Sequence, residues 1–394
     1  MMRPMTFEDD RETAVAPGAS GVMAAMSGGV DSSVCAMLLQ EAGYAVRGAT
    51  MVLRDGGAGR ESAAAVSALG EHALCAGPTC GSSRDVEDAR AVCRRLGIPH
   101  DAFDLRDRFD AAVIRPFCDA YLGGRTPNPC IDCNRFLKFE ALQQRRRAMG
   151  LDYVATGHYA RRRWDAATER WQLLRARDKS KDQSYVLYHL TQDTLAHMLF
   201  PLGELTKGEV RELARARGFV TAEKPESQDI CFVPDGDYAG FIEGHCGAAA
   251  AFEPGDIVNR EGRVLGEHGG LVHYTIGQRK GIGVAASESL YVLEKDLTAN
   301  RLVVGFKDET LSRGVVARDV NLIGGESFAG SRAVQVKTHY RQRPVAATVE
   351  MSGDDELTVV FDELQSSAAP GQSAVLYDGD EVLGGGTIMR VLKG

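Results

Sequence analysis

The stretch MAAMSGGVDSSVCAMLL, Met23 to Leu39, constrains the fold more than any other part of the chain. An apolar run, GVMAAM, meets the loop Ser27-Gly28-Gly29-Val30-Asp31-Ser32. The segment VCAMLLQEAG then continues with helical spacing and closes on Gly43 at a C′ position. A further run, YAVRGATMV, reads as a second strand. Strand, loop, helix and strand in that order make a crossover unit, which sets the two strands parallel. Two adjacent glycines cost backbone entropy on folding, so the loop must need the freedom they give.

The same alternation continues. DVEDARAVCRRLG reads as an amphipathic helix with acids in its first turn, bases in its last and Gly97 after it. HDAFDL reads as a strand, FLKFEALQQRRRAMG as a third helix and DYVATGHYA as the next strand. The expected class is therefore α/β, a Rossmann-like parallel sheet covered on both faces. Arg54 to Ser83 is rich in Gly and Ala and reads as a loop or insertion, with no role assigned to 56–83. Near residue 230 the texture changes to a glycine-rich stretch. From about Arg301 the pattern has period two, and Asp378-Gly379 between apolar runs signals a hairpin. The expected organisation is a disordered tail over 1–20, an α/β domain over 21–230, a small central domain over 231–300 and a C-terminal antiparallel β-barrel over 301–394.

No apolar run approaches the roughly 18 residues a membrane span needs, so no membrane partner is expected. Glu8, Asp9, Asp10 and Glu12 mark the first twenty residues as unlike a signal peptide. The nine cysteines then read as reduced thiols in a cytoplasm, with Cys35 and Cys93 as inert core residues. The formal net charge of -8 argues on average against nucleic acid. Asn134 to Gln183 departs from that average, with thirteen Lys or Arg against six Asp or Glu. Solvated helix faces or a phosphate-facing patch both fit it.

Glycines between a strand and a helix let backbone N–H groups approach an anion, and the helix N-terminus adds a positive dipole end. Asp31 would repel a bare phosphate, so its presence suggests Mg²⁺ beside it. The loop matches neither GxxxxGK[ST] nor GxGxxG. Cys130-Ile-Asp-Cys133 has metal-knuckle spacing, but no second Cys-x-x-Cys supplies the remaining ligands of a zinc site. A redox pair is the other reading. Cys231 lies far along the chain between Ile230 and Phe232, where a core thiol would also fit.

SGGVDSS resembles the pyrophosphate loop of the ATP pyrophosphatases. GRTPNPCIDCNRFLKF, ATGHYARR, KDQSYVLYHL, SQDICFV, GLVHYTIGQRKGIG and APGQSAVLYDGDEVLGGGTI follow in order, and together they resemble the tRNA-specific 2-thiouridylases from about Gly21 onward. The resemblance implies a cytoplasmic, monomeric enzyme that uses ATP and Mg²⁺ and puts sulfur on C2 of the wobble uridine. ATP would lie on Ala25, Met26, Ser27, Gly28, Gly29, Val30, Asp31, Ser32, Met51 and Gly157. The tRNA anticodon arm would meet Asn128, Pro129, Cys130, His158, Lys181, Asp182, Gln183, Tyr340, Arg341 and Gln372. Cys231 would carry sulfur as a persulfide, received from a sulfur-carrier protein or a cysteine desulfurase. Cys133 would be the second catalytic thiol and could form a disulfide with Cys231. Some relatives carry Asp where this chain has Cys130. The substitution leaves an alternative open: Cys130, Cys133 and Cys231 as ligands of a [4Fe-4S] cluster. A different ATP pyrophosphatase ligase would share the loop but not these cysteines, a tRNA-binding protein without activity would not need SGGVDS, and a zinc-binding structural protein would need a fourth ligand.

Overall fold

The computed structural model describes residues 20–54, 81–224, 230–233, 236–247, 250–325, 330–353, 355–366 and 368–394. The expected tail up to residue 19 and most of the Gly/Ala-rich segment, 55–80, lie outside the described residues. The chain divides into two compact units. The first comprises 1–110, 133–184 and 193–236, and the second 111–132, 185–192 and 237–394.

In the first unit a five-stranded parallel sheet holds the core. Its strands are β1 (Gly21–Ala25), β2 (Ala45–Val52), β3 (His100–Asp104), β4 (Tyr153–Ala155) and β7 (Met198–Leu199). They lie in the order β3-β2-β1-β4-β7. The hairpin β5 (Ala160–Asp165) and β6 (Arg170–Arg175) follows β4 in the chain. Helix α1 (Val30–Glu41) buries most of its residues, and helix α2 (Ser83–Leu96) buries one stripe. Val22, Ala24, Val34, Met37, Leu39 and Val92 belong to the resulting core. Cys35 and Cys93 lie in it as well, and burial raises both thiols, Cys93 to about 11. They are small hydrophobes here, as expected.

Helix α2 shows how local chemistry sets an element. Ser82 and Asp85 form a reciprocal capping box, and Gly97 ends the helix in the left-handed region at φ 69°. Two sequence readings proved shorter than drawn. The strand read over DYVATGHYA is only Tyr153–Ala155; residues 156–158 belong to no strand, and the next strand begins at Ala160. The helix read from Phe136 to Gly150 begins as a wide π-type turn, Cys133–Ala141, and becomes α-helical only over Leu142–Ala148.

Chain direction makes the site. From β1 the chain goes to β2 and β3 on one side, and then to β4 and β7 on the other. The reversal falls between β1 and β4, and open α/β sheets bind ligands at the strand ends flanking such a point. The loops that leave β1 and β4 there are 26–29 and 156–158.

The second unit contains two sheets. The smaller has the order β10-β11-β8-β9, with β8 (Gly255–Val258), β9 (Val264–His268), β10 (Tyr291–Asp296) and β11 (Arg301–Gly305). Ile257, Leu271, Val292, Leu302 and Val304 fill its core. The larger is a closed antiparallel barrel of six strands: β12 (Ser312–Leu322), β13 (Ser331–Lys337), β14 (Val345–Met351), β15 (Glu356–Gln365), β16 (Ser373–Asp378) and β17 (Glu381–Lys393). Pairing of β12 with β17 closes it. Alternating residues such as Val334, Val336, Val349, Val359 and Leu376 point inward. The expected hairpin is present between β16 and β17, with Gly379 at φ 59° in its two-residue turn.

Candidate active site

The loop Ser27–Ser32 lies at the switch point of the sheet. Met26 is buried and donates its N–H to the Ala49 carbonyl at 2.8 Å, which fixes where the loop leaves the sheet. Gly28 adopts φ 70°, and a Cβ there would come within 2.6 Å of the Asp85 carbonyl oxygen. Only glycine fits both demands. Gly29 caps α1 in an extended conformation, with no side chain bonded to the cap. Ser32 and Ser33 instead donate their hydroxyls to the Gly29 carbonyl at 3.0 and 2.9 Å.

Asp31 stands in the first turn of α1, where the dipole favours a carboxylate. Lys207 Nζ donates to both of its oxygens, at 2.7 and 2.8 Å, and Tyr159 Oη donates to Oδ1 at 2.8 Å. Gln183 holds Tyr159 in turn: its Oε1 accepts the Tyr159 N–H at 2.9 Å, and its own N–H donates to the Tyr159 carbonyl. A second lysine, Lys224, donates to the Gly28 carbonyl at 3.0 Å, to Asp85 at 2.9 Å and to Asp88 at 2.7 Å. Bonds to these two carboxylates outweigh partial burial and raise its pKa, so it is an ammonium at neutral pH.

Gly157, after β4, faces this loop from across the switch point. A Cβ on it would lie 2.9 Å from the Asp31 carbonyl carbon and from the Ser32 nitrogen. Its neighbour His158 is 7% exposed; Nδ1 bonds to Thr156 Oγ1 at 2.8 Å, and Nε2 lies 3.4 Å from Lys138 Nζ. Burial first, and Lys138 second, hold its pKa well below the ordinary range. His158 is thus a neutral, buried imidazole. Met51 is half-buried near the end of β2, and its carbonyl would be 2.8 Å from a Cβ on Gly81.

The KDQ motif divides by role. Asp182 is buried and accepts from the Ala176 and Ser184 N–H groups, the Ser184 hydroxyl and Arg175 Nε. It orders its own loop. Lys181 is half-buried, with its N–H on the Asp178 carbonyl. Cys133 opens the π-type turn and Cys231 follows Ile230; both are half-buried thiols of the first unit. Arg54 donates to the Cys231 carbonyl at 3.3 Å, and Phe232 packs edge-on against Phe109. Residues 225–229, the SQD part of SQDICFV included, lie outside the described residues.

The remaining predicted residues gather in the second unit. Asn128 Oδ1 accepts the Cys130 N–H at 3.2 Å, and Pro129 begins a short helical turn. Gln372 donates to the Thr126 carbonyl at 2.7 Å, and Thr126 donates its N–H to the Pro370 carbonyl at 2.8 Å. Gly371, at φ 92°, allows that approach: a Cβ there would meet the Thr126 nitrogen at 2.9 Å. The Asn128–Cys130 loop and the Gln372 loop are thereby pinned together. Tyr340 is exposed, edge-on to Tyr185, and Lys337 lies over both rings; Arg341 follows it.

Three family profiles match the chain in series. They are described as a tRNA methyl transferase HUP domain over residues 20–235, a tRNA methyl transferase PRC-barrel domain over 240–306 and an aminomethyltransferase beta-barrel domain over 312–388. The tRNA-specific 2-thiouridylase MnmA of Carboxydothermus hydrogenoformans is 46% identical over 375 residues, covering 95% of this chain and 99% of that protein. The chain belongs to the tRNA-specific 2-thiouridylase family. The protein of the same name from Moorella thermoacetica is 46% identical, over 94% of this chain and 100% of its own length. That from Symbiobacterium thermophilum is 44% identical, over 99% and 97%. The domain descriptions speak of methyl transfer, but identity along whole chains weighs more than a domain label.

In a member of this family the donor set of the loop suits a nucleotide with its divalent cation. Around the loop stand the N-terminus of α1, the hydroxyls of Ser32 and Ser33, the Asp31 carboxylate, and two lysines, Lys207 on Asp31 and Lys224 on the Gly28 carbonyl. Among the described residues no three His, Cys, Asp or Glu side chains gather as metal ligands do. Among the same residues no helix is long and apolar enough to cross a membrane. Lys207, Lys224 and Tyr159 escaped the sequence reading. Lys207 did carry a signal. It stands at the first position of the helix Lys207–Ala216, behind a Thr206–Glu209 capping box, where the dipole disfavours a cation. A lysine placed there implies a carboxylate nearby.

Proposed function

We propose that the protein carries out ATP-dependent 2-thiolation of the wobble uridine of tRNA. The observation that carries this reading is the loop Ser27–Ser32 at the switch point, with Asp31 held by Lys207 and Tyr159. ATP binds with its phosphates on this loop. Lys207 and Lys224 balance charge around it, and Mg²⁺ held with Asp31 would neutralise phosphate charge. Gly157 keeps the β4 loop close to the α1 terminus, and Met51 lies beside the base.

The anticodon arm of tRNA meets Asn128, Pro129, Cys130, Lys181, Tyr340, Arg341 and Gln372, and the target uridine is extruded from its stack. Asp182 and Gln183 order the loop that carries Lys181. Neutral His158 offers a hydrogen-bond donor or acceptor without charge. Uridine O2 attacks the α-phosphorus of ATP, giving O2-adenylated uridine and pyrophosphate. Cys231 enters as a persulfide, loaded from a sulfur-carrier protein or a cysteine desulfurase. Its terminal sulfur attacks C2, and AMP leaves with the former O2. The uridine is now joined to Cys231 through an S–S bond. The Cys133 thiolate attacks Cys231 Sγ, a Cys133–Cys231 disulfide forms, and 2-thiouridine is released. A cellular dithiol reduces the disulfide before the next turnover. The protein works as a cytoplasmic monomer in this reading.

The test is tRNA-dependent AMP release. Asp31→Ala should abolish it while tRNA still binds. Normal AMP release by Asp31→Ala would remove the loop from the reaction.

A further inference from the structure

Two adjacent glycines let the backbone approach an anion, but they also leave the peptide between them free to flip. Gly28 is confined by the Asp85 backbone. Gly29 is not: a Cβ on it would meet only Ser27 Oγ, at 3.5 Å. A flip of the Gly28–Gly29 peptide would put a carbonyl oxygen where an N–H should be, and turn a negative dipole end toward phosphate. A loop of this composition therefore needs something to hold that peptide.

The next peptide is held by serines, whose hydroxyls take the Gly29 carbonyl. For the Gly28 carbonyl the donor is Lys224 Nζ, at 3.0 Å. The peptide is trans, so its C=O and N–H point in opposite directions. Drawing the carbonyl to Lys224 aims the Gly29 N–H away from the lysine. Among the described residues that N–H meets no acceptor.

Lys224 is itself fixed at both ends. An ammonium has three N–H donors. Nζ has an acceptor for each: the Gly28 carbonyl, Asp85 Oδ1 at 2.9 Å and Asp88 Oδ2 at 2.7 Å. Asp85 belongs to the capping box of α2, which sets its carboxylate in place. At the other end the Lys224 N–H donates to the Thr221 carbonyl at 3.1 Å. Thr221 Oγ1 bonds to Ser33 Oγ at 3.0 Å, both residues fully buried. The turn that carries the lysine is thus tied to α1, the helix that the loop opens.

We propose that Lys224 is a positioning residue that locks the Gly28–Gly29 peptide with its N–H turned to the pyrophosphate part of the nucleotide. It acts through the backbone and does not touch phosphate. The inference rests on the reading of Ser27–Ser32 as a phosphate loop.

Calorimetry with magnesium pyrophosphate, and amide spectra of protein labelled with ¹⁵N-glycine, test it on wild type, Lys224→Met and Lys224→Arg. Neither readout needs tRNA or turnover. The Gly29 resonance is identified by its loss in Gly29→Ala. In Lys224→Met the pyrophosphate affinity should fall about tenfold or more, the scale of one lost charge-assisted bond. The Gly29 signal should broaden or double as the peptide samples two orientations. Lys224→Arg keeps the charge, but a planar fork cannot serve three separated acceptors. It should show the same change at Gly29 with a smaller loss of affinity, and it keeps the test sharp if Lys224→Met does not fold. Weaker binding with an unchanged Gly29 signal would make Lys224 a charge alone and overturn the proposal, as would unchanged affinity in both variants. Wild type that does not bind pyrophosphate would instead overturn the reading of the loop.

Discussion

Lys207 sets the electrostatics of the nucleotide loop more than any residue visible in the SGGVDSS motif. Its two bonds to Asp31 let a carboxylate stand beside phosphates without a bare negative charge. Lys207→Met should slow tRNA-dependent AMP release about 10²–10³-fold, the range for removing one preorganised electrostatic contact. Single-turnover measurement of AMP checks it, and a loss below threefold would make Lys207 a structural residue only. The thiols act after adenylation. Cys231→Ser should abolish 2-thiouridine while tRNA-dependent pyrophosphate release continues, and Cys133→Ser should stall after one sulfur attack with the uridine still joined to Cys231 through an S–S bond. Cys130→Ala separates the two sulfur routes: a relay through two thiols retains activity, whereas a three-cysteine cluster loses iron and activity together. Measured iron content and nucleoside analysis read both outcomes. At this scale sequence reached the glycines and Asp31, because the loop is contiguous. Lys207, Lys224 and Tyr159 arrive from 176, 196 and 128 residues away, and spacing alone does not predict such partners.

Elements explain why some predicted residues act only indirectly. Gly157 matters because β4 ends opposite the α1 terminus, not because its loop needs an unusual φ. Gly157→Ala must push against Asp31 and Ser32 backbone, at a cost of about 1–3 kcal/mol typical of overpacking. AMP release should fall sharply with far-UV circular dichroism unchanged. An active Gly157→Ala enzyme would show that the two loops have room to part. The basic runs need the same reading. Arg146 is buried and bonded to Gln143 and to the Leu151 and Asp152 carbonyls. Arg162 donates to the Leu195 and Ala196 carbonyls and lies over Trp171. A count of arginines could not separate these from exposed Arg145, Arg147 and Arg163. Replacing those three by Gln should flatten the salt dependence of tRNA binding by up to about one counterion each. An unchanged slope in filter-binding titrations would place the phosphate contacts elsewhere, and replacing Arg146 or Arg162 should chiefly lower Tm.

Across the whole molecule the order of elements was legible and their spatial partners were less so. Crossover units and period-two strands announce a parallel sheet and an antiparallel barrel, because each buries its side chains with its own period. Closure of the barrel by β12 and β17 joins the strands furthest apart within it, a long-range pairing that no local pattern encodes. Burial also gives the molecule a shared pH response. His100, His158, His197, His268 and His339 are all held below the ordinary imidazole range, burial being the largest cause for each. Below about pH 6.5 the unfolded chain takes up protons that these native imidazoles refuse, so stability is full above that pH and is lost as pH falls. Tm should drop from pH 7 to pH 5, less steeply in His158→Gln, and a flat profile would contradict this. The most direct test of the account as a whole is mass analysis of nucleosides from tRNA incubated with iron-free protein, ATP and a persulfide donor. The account predicts 2-thiouridine at the wobble position, formed with one AMP per sulfur. Unmodified uridine despite ATP consumption, or a methylated uridine instead, would contradict it.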